Sequence, residues 1–164
     1  MKKTIRLYWQ EICAPVISEV EQVLSAYFPL DVALAGAREP SAHAFDTARG
    51  QYDAEYLLKE LDEAESENTD EALSLWLIEE DISCAGYDYL YGAAGHATAV
   101  VSAARTGFGE NLHKEVCHET GHLFGLDHCH DSCVMNTSPG PGKLGGKPTS
   151  FCVGCLVHIF KEDR

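Results

Sequence analysis

Hydrophobic and polar positions near the start of the chain follow first a strand period and then a helix period. Residues 4–9 alternate and carry β-favouring side chains, which predicts a strand. Apolar side chains then recur at helical spacing from Val16 to Tyr27, and this helix should end before Pro29. Residues 30–34 predict a second strand, so the chain opens with a β-α-β unit whose two strands run parallel.

The middle of the chain predicts a loop, an amphipathic helix and a buried strand. Residues 36–50 contain glycine and proline and predict a loop. From Tyr52 to about Ser66 an apolar stripe faces an acidic side, which is typical of a surface helix. Residues 73–79 are almost continuously apolar, as expected for a strand that is covered on both faces.

Shorter elements are predicted in the second half. Two strands are expected near 89–93 and 98–104, and a helix should begin near Asn111, which suits an N-cap position. Residues 139–148 read PGPGKLGGKP and predict a loop, and residues 156–160 predict a final short helix.

Length and charge narrow the classes of function. A chain of 164 residues suits one domain, or one domain with a small appendage. Its formal net charge of -14 argues against nucleic acid and anionic membranes as partners, because both are bound by clustered Lys and Arg. The acidic stretch from Glu39 to Asp81 fits a solvated surface, or a rim that selects basic substrates.

No apolar run is long enough to span a membrane, and the N-terminus does not fit a signal peptide, so we expect a cytoplasmic protein.

One segment carries metal-binding chemistry. The sequence from His118 to His128 reads HETGHLFGLDH. On a helix, His118 and His122 lie on one face, and Glu119 shares their side. Gly125 can end the helix in the left-handed conformation and return His128 to the same point.

Three neutral imidazoles are the ligand set of a catalytic zinc with one position open for water. In this interpretation Glu119 takes the proton of the zinc-bound water as general base and passes it to the leaving amine. His130 could be a rival third ligand, although its spacing fits less well. Glu115 lies one turn before the metal face and fits either a ligand-orienting role or a solvated carboxylate.

Four of the seven cysteines form two close pairs: Cys129 with Cys133, and Cys152 with Cys155. Two such pairs are what a tetrahedral structural zinc requires, whereas disulfides or buried free thiols are the alternatives. Met135 follows two residues after the first pair and, taken alone, would be a packed side chain.

Together these motifs resemble the archaemetzincins, a branch of the metzincin zinc peptidases. The resemblance implies that Met135 forms the Met-containing turn below the metal and that the four cysteines bind a second, structural zinc. It also implies a peptide-binding edge strand at Tyr89–Ala94. Several metzincins carry a catalytic Tyr just after that Met, and here Asn136 stands in its place, so no such role is assigned.

The fold implied is of the α/β (α+β) class. It is a metzincin-like, mixed and twisted five-stranded sheet with backing helices, an active-site helix and a small zinc-bound C-terminal part. We expect a single catalytic domain over residues 1–164, divided into an N-terminal subdomain (1–125) and a C-terminal subdomain (126–164).

The function predicted is that of a zinc-dependent metallopeptidase that binds two Zn²⁺ ions, acts on a peptide or protein substrate and works as a monomer. Whether it would act as an aminopeptidase or an endopeptidase stays open. The alternative is a zinc-stabilised protein that binds peptides or a partner without turnover.

Overall fold

Eight strands are present in the computed structural model, which describes residues 2–68, 70–137 and 143–161. In chain order they are β1 (Lys3–Trp9), β2 (Leu30–Ala37), β3 (Phe45–Asp46), β4 (Gln51–Asp53), β5 (Leu73–Ile78), β6 (Ile82–Ser83), β7 (Gly92–Ala94) and β8 (Thr98–Ser102). Five of them form the main sheet in the order β2-β1-β5-β8-β7, and the other three form a small sheet in the order β3-β4-β6.

The main sheet is mixed, as predicted. β1 pairs in parallel with β2 and β5, and β5 pairs in parallel with β8. Only β7, among the strands of this sheet, runs antiparallel to its neighbour, with Gly92 opposite Val101 and Ala94 opposite Ala99. This strand therefore forms one edge of the sheet.

Helices cover both faces of the sheet. The described residues contain α1 (Ile17–Tyr27), α2 (Ala54–Glu65), α3 (Glu110–Leu123) and α4 (Val153–Lys161), with 3-10 turns at Glu11–Val16, Ala42–Ala44 and Leu144–Gly146. Leu75 and Leu77 of β5 pack into the larger core cluster with α1 and α3, whereas Trp76 and Ile78 pack with α2. The apolar run at residues 73–79 is thus a strand buried on both faces, which confirms its interpretation.

Several predicted helix and strand boundaries were wrong. The segment 36–50 is not all loop, since β2 extends to Ala37 and a turn and a short strand follow. α2 begins at Ala54 because Asp53 caps it, accepting a hydrogen bond from the Tyr56 N–H at 3.0 Å. α3 begins at Glu110, after Gly109 rather than at the predicted Asn111 cap.

Other differences lie in the second half of the chain. β7 covers only residues 92–94 of the predicted edge region, with Leu90 held by an isolated bridge to Ile82. β8 ends at Ser102, and α4 begins at Val153, three residues before its predicted start. Of the predicted loop at 139–148, residues 139–142 lie outside the described residues.

The C-terminal part shares the core of the rest of the chain. Several of its residues belong to the larger hydrophobic core cluster: Cys133, Val134, Met135, Phe151, Cys155 and Ile159. Within the described ranges, no helix is both long and apolar enough to cross a membrane.

Candidate active site

The active-site helix α3 presents two imidazoles one turn apart. The Nε2 atoms of His118 and His122 lie 3.2 Å from each other. The helix ends at Leu123, and Gly125 follows with φ of +83°, a backbone conformation that favours glycine. This turn returns the chain so that the ring of His128 lies 5.2 Å from that of His118 and 5.0 Å from that of His122, centroid to centroid.

The three imidazoles form a group that fits a zinc ion. One potential ligand atom from each of them lies within 4.8 Å of the others. The Nδ1 atoms of His118 and His122 face the backbone oxygens of Val134 and Leu126, at 3.0 and 2.7 Å. Donation to these carbonyls puts the hydrogen on Nδ1 and leaves Nε2 free as a ligand, the arrangement that orients metal-bound histidines. The rival ligand His130 belongs to neither metal-binding group found among the described residues.

Burial keeps His118 in the form that binds metal. Desolvation, helped by the nearby charge of Lys147, lowers its pKa to about 3. Desolvation also lowers the pKa of the more exposed His128. Both rings are therefore neutral at physiological pH, as zinc ligands must be.

Glu119 is buried beside this group and lines the same cleft. Burial, helped by the charge of Glu115, raises its pKa to about 8, while Lys147 acts in the opposite direction. A dication bound by the imidazoles would favour the charged carboxylate and lower this pKa again.

Strand β7 leaves room for Glu119 because Gly92 has no side chain. A Cβ atom at Gly92 would lie 2.8 Å from Cγ of Glu119 and 2.9 Å from the carbonyl oxygen of Val100. Both distances are far below van der Waals contact, so the strand and the carboxylate fit together only with glycine at this position.

Substitution Gly92→Ala is therefore expected to destabilise the protein by about 1–3 kcal/mol, the usual cost of overpacking a filled site. Thermal unfolding measures this effect. Gly95→Ala is the matched control, because a Cβ there meets Thr98 only at 3.5 Å, an ordinary contact. Equal melting temperatures for the two variants would contradict this account of Gly92.

A cleft of about 820 Å³ runs past these side chains. The cleft is lined by residues 86–95, by four residues of α3, and by residues 125–128 with Thr137. The space is large enough for several residues of an extended peptide.

The four predicted cysteines also converge. One sulfur from each of Cys129, Cys133, Cys152 and Cys155 lies within 4.8 Å of the others. The Sγ atoms of Cys129 and Cys152 are 3.8 Å apart, well beyond a disulfide bond. Cys133 Sγ accepts backbone N–H groups from Met135 at 3.4 Å and Cys152 at 3.3 Å. Such donors stabilise a thiolate, so this group fits a tetrahedral zinc.

The segment 133–135 (Cys133, Val134 and Met135) joins the two groups. Cys133 belongs to the cysteine group, and the Val134 carbonyl holds His118. Met135 is fully buried against α3 at Gly121, where a Cβ atom would lie only 2.5 Å from the Met135 sulfur. Gly121 thus makes room for Met135 against the helix that carries His118 and His122.

Sequence reasoning missed Lys147 and left the role of Glu115 open. Glu115 is fully buried and paired with Lys147, which decides against the solvated carboxylate. Lys147 lies in the glycine-rich segment that only predicted a loop, and it carried no recognisable signal. Asn136 donates its side-chain amide to the carbonyls of Cys129 and Asp131, at 2.7 and 2.6 Å, and so braces the chain between the two groups.

Comparison with known proteins extends the match to almost the whole chain. The profile of Peptidase family M54 matches residues 8–161. The archaemetzincin of Nanoarchaeum equitans is 35% identical over 120 residues, which cover 73% of this chain and 68% of the relative. The archaemetzincin of Archaeoglobus fulgidus is 31% identical over 144 residues, covering 83% and 86%.

Solved structures show the same fold. The archaemetzincin of Methanopyrus kandleri superimposes with a TM-score of 0.84 at 29% identity, over 99% of this chain and 97% of that one. A zinc-dependent peptidase from Methanocorpusculum labreanum superimposes with a TM-score of 0.83 at 26% identity, over 94% and 99%.

A group of three histidines on this fold, in a chain whose relatives are zinc peptidases, defines a zinc metallopeptidase. The resemblance seen in the motifs is confirmed over nearly the full length. The chain belongs to Peptidase family M54, and the relatives it matches are archaemetzincins.

Proposed function

We propose that the protein hydrolyses peptide bonds at a catalytic zinc held by His118, His122 and His128, with Glu119 as general base. The convergence of three imidazoles, two of them oriented by backbone carbonyls, carries this proposal. Glu119 lies in the same cleft but outside the ligand group, as a base rather than a ligand should.

The chemistry divides between metal and protein. Zinc, when bound, polarises the scissile carbonyl and lowers the pKa of a coordinated water to about 7. Glu119 accepts a proton from the attacking water and delivers it to the leaving amine. Its burial between α3 and β7 keeps bulk water from competing for that proton. His118 and His122 stay fixed through their Nδ1 contacts, so the geometry needs little rearrangement.

The substrate is proposed to bind as an extended strand against the edge of β7. Gly92 has no side chain, Ala93 and Ala94 carry only methyl groups, and all three line the cleft, so a peptide backbone can approach closely. Pairing of this kind uses backbone hydrogen bonds and recognises an extended chain more than particular side chains.

The cysteine group is proposed to bind a second, structural zinc. All four positions of a tetrahedral ion would be filled by thiolates, which leaves none open for chemistry. In this proposal Gly125 ends the first subdomain (1–125), Met135 supports the catalytic group from below, and residues 126–164 form the second subdomain. We further propose a cytoplasmic monomer.

The freshly purified protein should contain two zinc ions per chain, and His122→Ala should contain one. Elemental analysis measures this, and a peptide-library screen should detect cleavage by the parent and none by His122→Ala. Binding of peptides by the zinc-loaded parent without any cleavage would instead support a binding protein. One zinc or none in unchelated parent protein would contradict the two-site proposal.

A further inference from the structure

Two buried lysines hold the segment 143–147 against the active-site helix. Lys114, on α3, donates to the backbone oxygens of Leu144 and Gly145 at 3.1 and 3.2 Å. Lys147 reaches in the opposite direction and donates to Glu115 of α3 at 3.1 Å. The side chains of Lys147 and Glu115 are each only 1% exposed. Burying two charges so completely is costly unless they are paired with each other, as these are.

Only one of these lysines contacts the histidine group. Nζ of Lys147 lies 3.0 Å from Nδ1 of His118, the same nitrogen that faces the Val134 carbonyl at 3.0 Å. When Nε2 binds a metal, Nδ1 must carry the hydrogen, and it can then only donate. Its partner is therefore the Val134 carbonyl, and the ammonium of Lys147 must direct its hydrogens elsewhere.

Glu115 receives a hydrogen bond from this ammonium. It lies one helical turn before His118 on α3, and its carboxylate both accepts from the ammonium and offsets its positive charge. Without that carboxylate, a cation would stand beside a ligand of a dication in a buried, low-dielectric site, where charges interact strongly.

We propose that Glu115 and Lys147 are a positioning pair that sets the charge and orientation of His118, and that Glu115 thereby maintains the affinity of the histidine group for zinc. This inference rests on the proposed function, because it requires the histidine group to bind zinc. The pair acts through His118 and has no assigned contact with substrate.

The two members of the pair should act in opposite directions. Glu115→Gln keeps the shape but removes the negative charge, and zinc affinity should fall by about 10- to 100-fold, the usual effect of altering a partner of a metal ligand. Lys147→Met removes the positive charge, and this variant should bind zinc at least as tightly as the parent. The double variant Glu115→Gln/Lys147→Met should return to within about threefold of the parent, because coupled charges are not additive.

The measurement is chelator competition on the purified full chain, following the zinc that His122→Ala lacks. Lys114→Met is the matched control, because it loosens the same segment without changing a group that contacts His118. It should bind zinc within about threefold of the parent.

Several outcomes would overturn the inference. These are parent-like affinity in Glu115→Gln, weaker binding in Lys147→Met, a double variant as weak as Glu115→Gln, or a Lys114→Met variant as weak as Glu115→Gln. If Lys147→Met does not fold, Glu115→Gln and the double variant still decide the question. If His122→Ala retains all the zinc of the parent, the proposed function fails instead, so the two failures are distinguishable.

Discussion

Replacing Glu119 by alanine should reduce peptide hydrolysis by about 10²- to 10⁴-fold while both zinc ions stay bound. Positioned acid–base groups contribute this much to rate. The ligand atoms of the histidine group come from His118, His122 and His128, so the variant keeps all three. Its fold and its binding of substrate-like peptides should also persist. Glu119 contacts β7 at Gly92 but takes no part in the backbone pairing of β7 with β8.

Glu119→Gln is the matched variant for this experiment. It retains the shape next to Gly92 but cannot accept a proton, so its rate should fall as in Glu119→Ala. The test measures the hydrolysis rate and the zinc content on the same samples of each variant. A Glu119→Ala variant that cleaves as fast as the parent, or that loses the metal, would refute the role of general base.

Cys152→Ser should lower the thermal stability strongly and remove one zinc ion. Formation of a structural zinc site can contribute on the order of 10 kcal/mol to folding in small motifs. Here the four cysteines tie together the turn after His128 and the start of α4. Three of the four sulfur ligands cannot complete a tetrahedron, so the C-terminal part should loosen while the three histidines remain able to bind metal.

Differential scanning calorimetry and elemental analysis measure these effects. Cys84→Ser is the matched control, because Cys84 is partly exposed and belongs to neither metal-binding group in the described part of the chain. It should melt like the parent and keep two zinc ions. Parent-like melting of Cys152→Ser would show that the cysteine group is not a structural metal site.

Local patterns predicted most of the fold and the ligand groups. The run at residues 73–79 was recognisable because a strand covered on both faces has no polar side to show. The histidines were recognisable because helical spacing alone brings His118 and His122 together, and Gly125 marks the turn that returns His128.

The surroundings of the site depend on contacts between distant segments, which leave no local pattern. Lys147 lies 32 residues from Glu115 in the sequence. It is buried because the chain between the two cysteine pairs folds back against α3. Gly92 lies within the strand predicted near residues 89–93 and showed no role there, yet its missing side chain makes room for Glu119 from α3. Short elements such as β6 were missed because two residues carry no periodicity.

The shared segment 133–135 would couple the two proposed zinc sites thermodynamically. Cys133 and Val134 are adjacent, so ordering the sulfur ligand also places the carbonyl that orients His118. Zinc at the cysteine group should therefore raise the affinity of the histidine group. By reciprocity, zinc at the histidine group must raise the affinity of the cysteine group by the same factor. The proposed structural ion would in that sense also be an effector of the proposed catalytic one.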